Sequence, residues 1–145
     1  MTLDKKRISK IIKYFSNKPE VAAVYLYGSH ARGEAKETSD IDLAVLVTDK
    51  RKYTGFGIVQ VVFSSDLSKI TGKKVEVQDL DDCTADFAHR VLEEGMLLIA
   101  NNQKVRTEFE ERVLRIYFDL KPAIEEYYKH LSEIAKKGEL HVRYI

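Results

Sequence analysis

A single cysteine, two prolines and no apolar run of membrane-spanning length set the first limits on this 145-residue chain. With Cys83 alone no disulfide can close within the chain, the thiol usage of a protein of the reducing cytosol. A spanning helix needs about 20 successive apolar residues, and the charged N-terminal residues lack the apolar stretch of a signal peptide. A cytoplasmic protein is therefore expected. A surplus of one charge is missing too: 24 Lys plus Arg against 23 Asp plus Glu leave a net charge of +1. That balance argues against a dedicated nucleic-acid binder, whose affinity comes from a basic surface. His30, His89, His130 and His141 are scattered without zinc-ligand spacing. No internal repeat or low-complexity segment is present. The length suits one domain over 1–145, with a core over about residues 19–100 and a helical segment over about 102–137.

What is present centres on residues 21–47, VAAVYLYGSHARGEAKETSDIDLAVLV. Val21–Tyr27 is rich in β-branched and aromatic residues and stops at Gly28, the pattern of a buried strand. Gly28-Ser29 follows: a glycine lets backbone approach a phosphate, and the serine hydroxyl and adjacent N–H groups can donate to it. His30–Ala35 is short enough for one helical turn behind that phosphate. Asp40 and Asp42 then open a second apolar run, Leu43–Val47. On a strand the two carboxylates share a face, about 7 Å apart at the backbone. Two like charges on a half-buried face need a cation, and oxygen ligands beside a phosphate-binding turn suit Mg²⁺.

Around this centre, Leu3–Asn17 reads as a helix with Ile8, Ile11, Ile12 and Phe15 on one face, Asp4 in its first turn and Pro19 beyond its end. Thr48–Lys52 is a polar connection. Tyr53–Thr71 reads as a crossover helix, entered through Gly55-Phe56-Gly57 and stopped by Gly72. Lys73–Leu80 is a strand with Val75 and Val77 on one face and Glu76 and Gln78 on the other. Ala85–Glu94 is a helix capped by Asp82 or Thr84 and ended by Gly95, with His89 as a packing residue. Met96–Ala100 is a short strand. From Lys104 apolar residues recur every three or four positions, a long helical stripe broken or kinked at Pro122 and mostly core. Glu108 with Arg112 and Glu111 with Arg115 are expected as ion pairs along it. Its distal part, with His141–Ile145, is a candidate partner surface because aromatics and arginine are favoured at interface anchors.

Gly28-Ser29, ten intervening residues and Asp40-Ile41-Asp42 resemble the signature of the DNA polymerase β-like nucleotidyltransferase superfamily. The fuller string resembles its minimal nucleotidyltransferases (MNT domains), most closely the MntA-type antitoxins that act with HEPN-domain (HepT-type) toxins. The resemblance implies an α/β (α+β) polymerase β-like fold, a small mixed sheet flanked by helices with a long C-terminal helical segment. It implies ATP as donor and AMP as the group transferred. It implies two Mg²⁺ ions on Asp40, Asp42 and a third carboxylate, which this sequence fills with Glu76 where aspartate is common; Glu76 could instead serve as general base. Gly28 and Ser29 would hold the β- and γ-phosphates, and Arg32 would contact phosphate or brace Asp40. The implied acceptor is a tyrosine hydroxyl of a partner HEPN RNase toxin, which is thereby neutralised in a hetero-oligomeric complex. The alternatives are a non-catalytic binding antitoxin on the same fold and a small-molecule, aminoglycoside-type nucleotidyltransferase.

Overall fold

The computed structural model describes residues 5–51, 53 and 58–138. Leu3 and Asp4, Lys52, the Gly55-Phe56-Gly57 stretch and the tail His141–Ile145 lie outside the described residues.

Helix α1 spans Lys5–Ser16 and buries Ile11 and Phe15, one turn apart, while its lysines face solvent. Strand β1, Val21–Tyr27, is buried along both faces, as its nearly unbroken apolar run requires. A single turn, α2 (Ser29–Arg32), leads to β2, Ile41–Val47, antiparallel to β1. Helix α3, Ile58–Thr71, is the crossover that lets β3, Val75–Asp79, lie parallel to β2. A 3₁₀ turn, Leu80–Asp82, precedes α4, Ala85–Glu94, then β4, Met96–Ala100, and α5, Gln103–Lys136. The sheet is mixed, in the order β3-β2-β1-β4.

Residue alternation along the strands sends side chains into two cores. On one face Val24, Leu26, Leu43 and Val45 meet Ile11 and Phe15 of α1 and Val59, Phe63 and Leu67 of α3. Tyr14, Phe15 and Phe63 stack edge to face there, with centroids 5.0–6.0 Å apart. On the other face Ala23, Tyr25, Ala44 and Leu46 meet Ala88 and Val91 of α4 and Phe109 and Val113 of α5. The outer edge of β3 is closed by α3: the Val75 and Val77 N–H groups donate to Ser68 Oγ and Ser64 Oγ, each at 3.0 Å.

Local chemistry explains the element ends. Thr84, not Asp82, caps α4, its side chain accepting from the Phe87 N–H at 3.2 Å. A Cβ on Gly95 would lie 2.9 Å from the Leu26 carbonyl, so glycine lets the end of α4 rest directly on β1.

Helix α5 departs from the expectation twice. It runs unbroken for 34 residues with Pro122 inside it. Pro122 and its neighbours from Phe118 to Ala123 are all exposed, so water can satisfy the carbonyl that loses its helical partner. Nor is its apolar stripe mostly core: Phe109, Val113 and Ile134 are buried, whereas Phe118, Tyr127 and Tyr128 are 59%, 60% and 58% exposed. Between Val113 and Ile134 no residue of α5 is fully buried. The described ion pairs along α5 are Arg106–Glu110 and Lys121–Glu125, rather than the two expected. His89 stacks on Tyr117, centroids 3.5 Å apart, as a packing histidine. Among the described residues no helix is long and apolar enough to cross a membrane.

Candidate active site

On the α4/α5 face, β2 presents Asp42, Ala44 and Leu46 in succession. The last two lie under the helices. Asp42 lies beyond them, where the apolar face opens into a cleft of about 330 Å³. In register it sits between Tyr27 of β1 and Glu76 of β3. Asp40 comes two residues earlier, just before the strand begins. Three carboxylates thus gather at one corner of the sheet. Burial pushes Asp42 above its ordinary value, and the charges of Glu76 and Asp40 push it further, against a smaller pull from Arg32.

Gly28 forms the floor at positive φ (76°), the left-handed region open to glycine. A Cβ there would strike the Asp42 carboxylate and lie 3.2 Å from its Cγ, so turn and carboxylate are built against one another. The Arg32 N–H donates to the Gly28 carbonyl at 3.1 Å and the Glu34 N–H to the Ser29 carbonyl at 2.9 Å, which winds the chain into α2. His30 anchors this turn from behind. Its ring is buried, burial holds it below the ordinary histidine value, and Nε2 lies 3.4 Å from the Ser39 carbonyl, an acceptor to which the ring N–H donates. The turn is thereby tied to the residue preceding Asp40.

Arg32 lines the cleft, with its guanidinium 3.0 Å from Glu34 and 4.0 Å from Glu94. The brace on Asp40 comes from elsewhere: Lys74 Nζ lies 3.8 Å from Asp40 Oδ2 and 3.2 Å from Glu76 Oε1. Asp79, the other acidic residue of β3, belongs to the opposite face. It is 1% exposed, 2.5 Å from Lys50 Nζ and hydrogen-bonded to the Asp81 N–H. Glu76 is therefore the β3 carboxylate on the Asp42 side.

Among the described residues, no three His, Cys, Asp or Glu side chains converge closely enough to hold a metal as they stand. The Lys74 ammonium occupies the ground between Asp40 and Glu76. The donor set nonetheless fits a hard divalent cation: all oxygen, with an Asp42 carboxylate short of positive charge.

The second wall of the cleft was missed by sequence reasoning. Phe87, Arg90, Val91 and Glu94 of α4 line it, at i, i+3, i+4 and i+7 along one helix face. Phe87 meets the Tyr27 ring edge-on, centroids 5.4 Å apart. The signal in the sequence was an arginine on the helix face that otherwise buries Val91; the periodicity alone reads as packing.

A sequence model of the family described as Polymerase beta, Nucleotidyltransferase matches residues 9–104. The protein adenylyltransferase MntA of Shewanella oneidensis is 28% identical over 101 residues, 70% of this chain and 68% of that protein. A chain of a toxin–antitoxin crystal structure with AMP-PNP superposes with a TM-score of 0.71 at 24% identity, covering 90% of this chain and 99% of the other. A chain of the Shewanella oneidensis complex of tri-AMPylated HEPN toxin with MNT antitoxin superposes with a TM-score of 0.69 at 23% identity, again covering 90% and 99%. The structural likenesses carry the fold: the mixed sheet with its flanking helices is the expected polymerase β-like architecture. The chain is a nucleotidyltransferase and belongs to the Polymerase beta, Nucleotidyltransferase family.

Proposed function

We propose that this chain transfers AMP from Mg-ATP to a tyrosine hydroxyl of a HEPN-domain toxin and so neutralises it, as the antitoxin of a toxin–antitoxin pair. The observation that carries the reading is the placement of Asp42 beside Glu76, with Asp40 two residues before it, on the rim of a cleft floored by Gly28. The MntA relative is a protein adenylyltransferase, and a chain of like fold occurs in a complex with an AMPylated HEPN toxin. In this reading residues 1–145 work as one nucleotidyltransferase domain. The free thiol of Cys83, 3.2 Å from the Asp79 carbonyl, accords with a reducing cytoplasm.

The acceptor oxygen attacks the α-phosphorus of ATP, the bond from that phosphorus to the bridging oxygen breaks, and pyrophosphate leaves. Ser29 and the backbone around Gly28 hold the β- and γ-phosphates, and Arg32 adds a charged contact. Asp40, Asp42 and Glu76 would hold Mg²⁺, which when bound supplies positive charge to the phosphate oxygens. Alternatively Glu76, at the sheet edge with its side chain 47% exposed, would act as general base for the acceptor hydroxyl in place of ligating metal.

The test is label transfer. The purified chain is incubated with Mg²⁺, the HEPN-type partner and ATP labelled at the α- or γ-phosphate. The expected result is movement of the α-label alone onto a partner tyrosine, lost with Asp42→Asn. No transfer within a complex that still assembles would overturn the reading.

A further inference from the structure

The wall that α4 gives the cleft carries a cation that no part of the Gly-Ser and Asp-x-Asp pattern accounts for. Arg90 lines the same cleft as Ser29, Arg32 and Asp42. Resting on the proposed donor role of this cleft, we infer that Arg90 is a polyphosphate-positioning residue: together with Arg32 it flanks the donor's β- and γ-phosphates and sets the preference for a triphosphate over a monophosphate.

Three observations support this. First, Arg90 is on the cleft face of α4, one turn from Phe87 and Glu94, while Val91 beside it is buried against the sheet; the helix is fixed and its arginine points over an open volume. Second, both cleft arginines are held only by exposed partners: Arg32 also donates to Glu34 at 3.0 Å, with 42% of the Arg32 side chain and 67% of Glu34 exposed. Arg90 reaches Asp86 at 3.8 Å with 62% of its side chain exposed, and Arg32 reaches Glu94 only at 4.0 Å. Exposed pairs of this kind are weak and easily exchanged for a phosphate, to which a guanidinium donates two parallel hydrogen bonds. Third, the charges need it. A nucleoside triphosphate brings about four negative charges to a cleft already lined by Asp42 and Glu94. The carboxylates that would hold metal lie at the Asp42 end, and Arg32 and Arg90 are the two cationic side chains among the described residues that line the cleft, one from α2 and one from α4.

Equilibrium dialysis of the full chain with labelled ATP and AMP in Mg²⁺ buffer tests the inference. Arg90→Gln is expected to weaken ATP binding about tenfold, the loss of one charge-assisted contact, and AMP binding less than about twofold. Arg90→Lys, which keeps the charge but loses the two-pronged contact, is expected to bind ATP between wild type and Arg90→Gln. The exposure of Arg90 makes both variants foldable, and a thermal melt confirms it. Equal losses for ATP and AMP, or an unchanged ATP affinity, overturn the inference while leaving the transferase reading intact. A wild-type chain that binds no nucleotide overturns both.

Discussion

Removing the carboxylate at the centre of the site should make the unliganded protein more stable. Asp42→Asn deletes a charge that lies in register beside Glu76 and two residues from Asp40. Adjacent strands are about 4.8 Å apart, so the Asp42–Glu76 repulsion is about 0.9 kcal/mol in a water-like medium and about 3.5 kcal/mol at an effective dielectric of 20. The cleft is open, which favours the lower figure. Salt roughly halves it, since the Debye length at physiological ionic strength is about 8 Å. Asp40 contributes less, and relief of Asp42's desolvation adds to the gain. Together these give about 1 kcal/mol, or about 3 °C in melting temperature for a chain of this size.

The pH dependence carries a sign that can be checked. Asp42 titrates above its ordinary value, so between the two values the folded protein binds more protons than the unfolded chain. Stability contributed by this group is then greatest when it is protonated and falls as pH rises through that window. Asp42→Asn and wild type should melt together near pH 3 and separate as pH rises to 7, with the variant higher. The assay is differential scanning calorimetry in a chelating buffer from pH 3 to 8. A variant that melts lower at pH 7, or a gap that does not change with pH, refutes the reasoning. Adding Mg²⁺ and ATP should reverse the order, because ligand binding stabilises only the protein that can form the site.

Lys74 predicts a competition: Lys74→Met removes the ammonium between Asp40 and Glu76 and should tighten Mn²⁺ binding about threefold by electron paramagnetic resonance titration, while weaker binding would mean that Lys74 instead holds the ligands in place. Lys50→Met leaves the Asp79 carboxylate, 1% exposed, with the Asp81 N–H as its one remaining partner among the described residues; a loss of about 2 kcal/mol in urea unfolding is expected, below the full value for a buried pair because the Lys50 side chain is 35% exposed.

The parts of the site legible in the sequence were those in which one stretch of chain does everything. Gly28, Ser29, Asp40 and Asp42 are close in sequence, and a strand's period of two fixes which side chains share a face. Glu76 came from the resemblance, which implies a third carboxylate on a neighbouring strand; β3 does lie beside β2, with Glu76 in register with Asp42. Arg90 and Phe87 were illegible because an amphipathic pattern does not say whether the rim of a helix's buried face looks onto core or onto a cavity. The same limit misled the reading of α5. Its stripe repeats at helical spacing through Ile134, but a stripe becomes core only where something lies opposite, and between Val113 and Ile134 no residue is fully buried. Pro122 was read as a break or a kink; the helix is not broken there, and on that exposed stretch water meets much of the proline's cost.

The two serines that close the rim of β3 have a consequence for assembly. An edge strand normally offers a ladder onto which a second chain can zip. Here the two outward N–H donors of Val75 and Val77, beside the candidate site, are taken from within by Ser68 and Ser64. In the proposed reaction the acceptor would then reach Asp42 through the open mouth of the cleft and not by pairing with β3. The opposite rim, β4, where Met96 and Leu97 are 49% and 40% exposed, carries no such seal among the described residues. Growth of the sheet would therefore proceed from β4, whose Met96 pairs with Leu26 beside the cleft residue Tyr27, and not from β3.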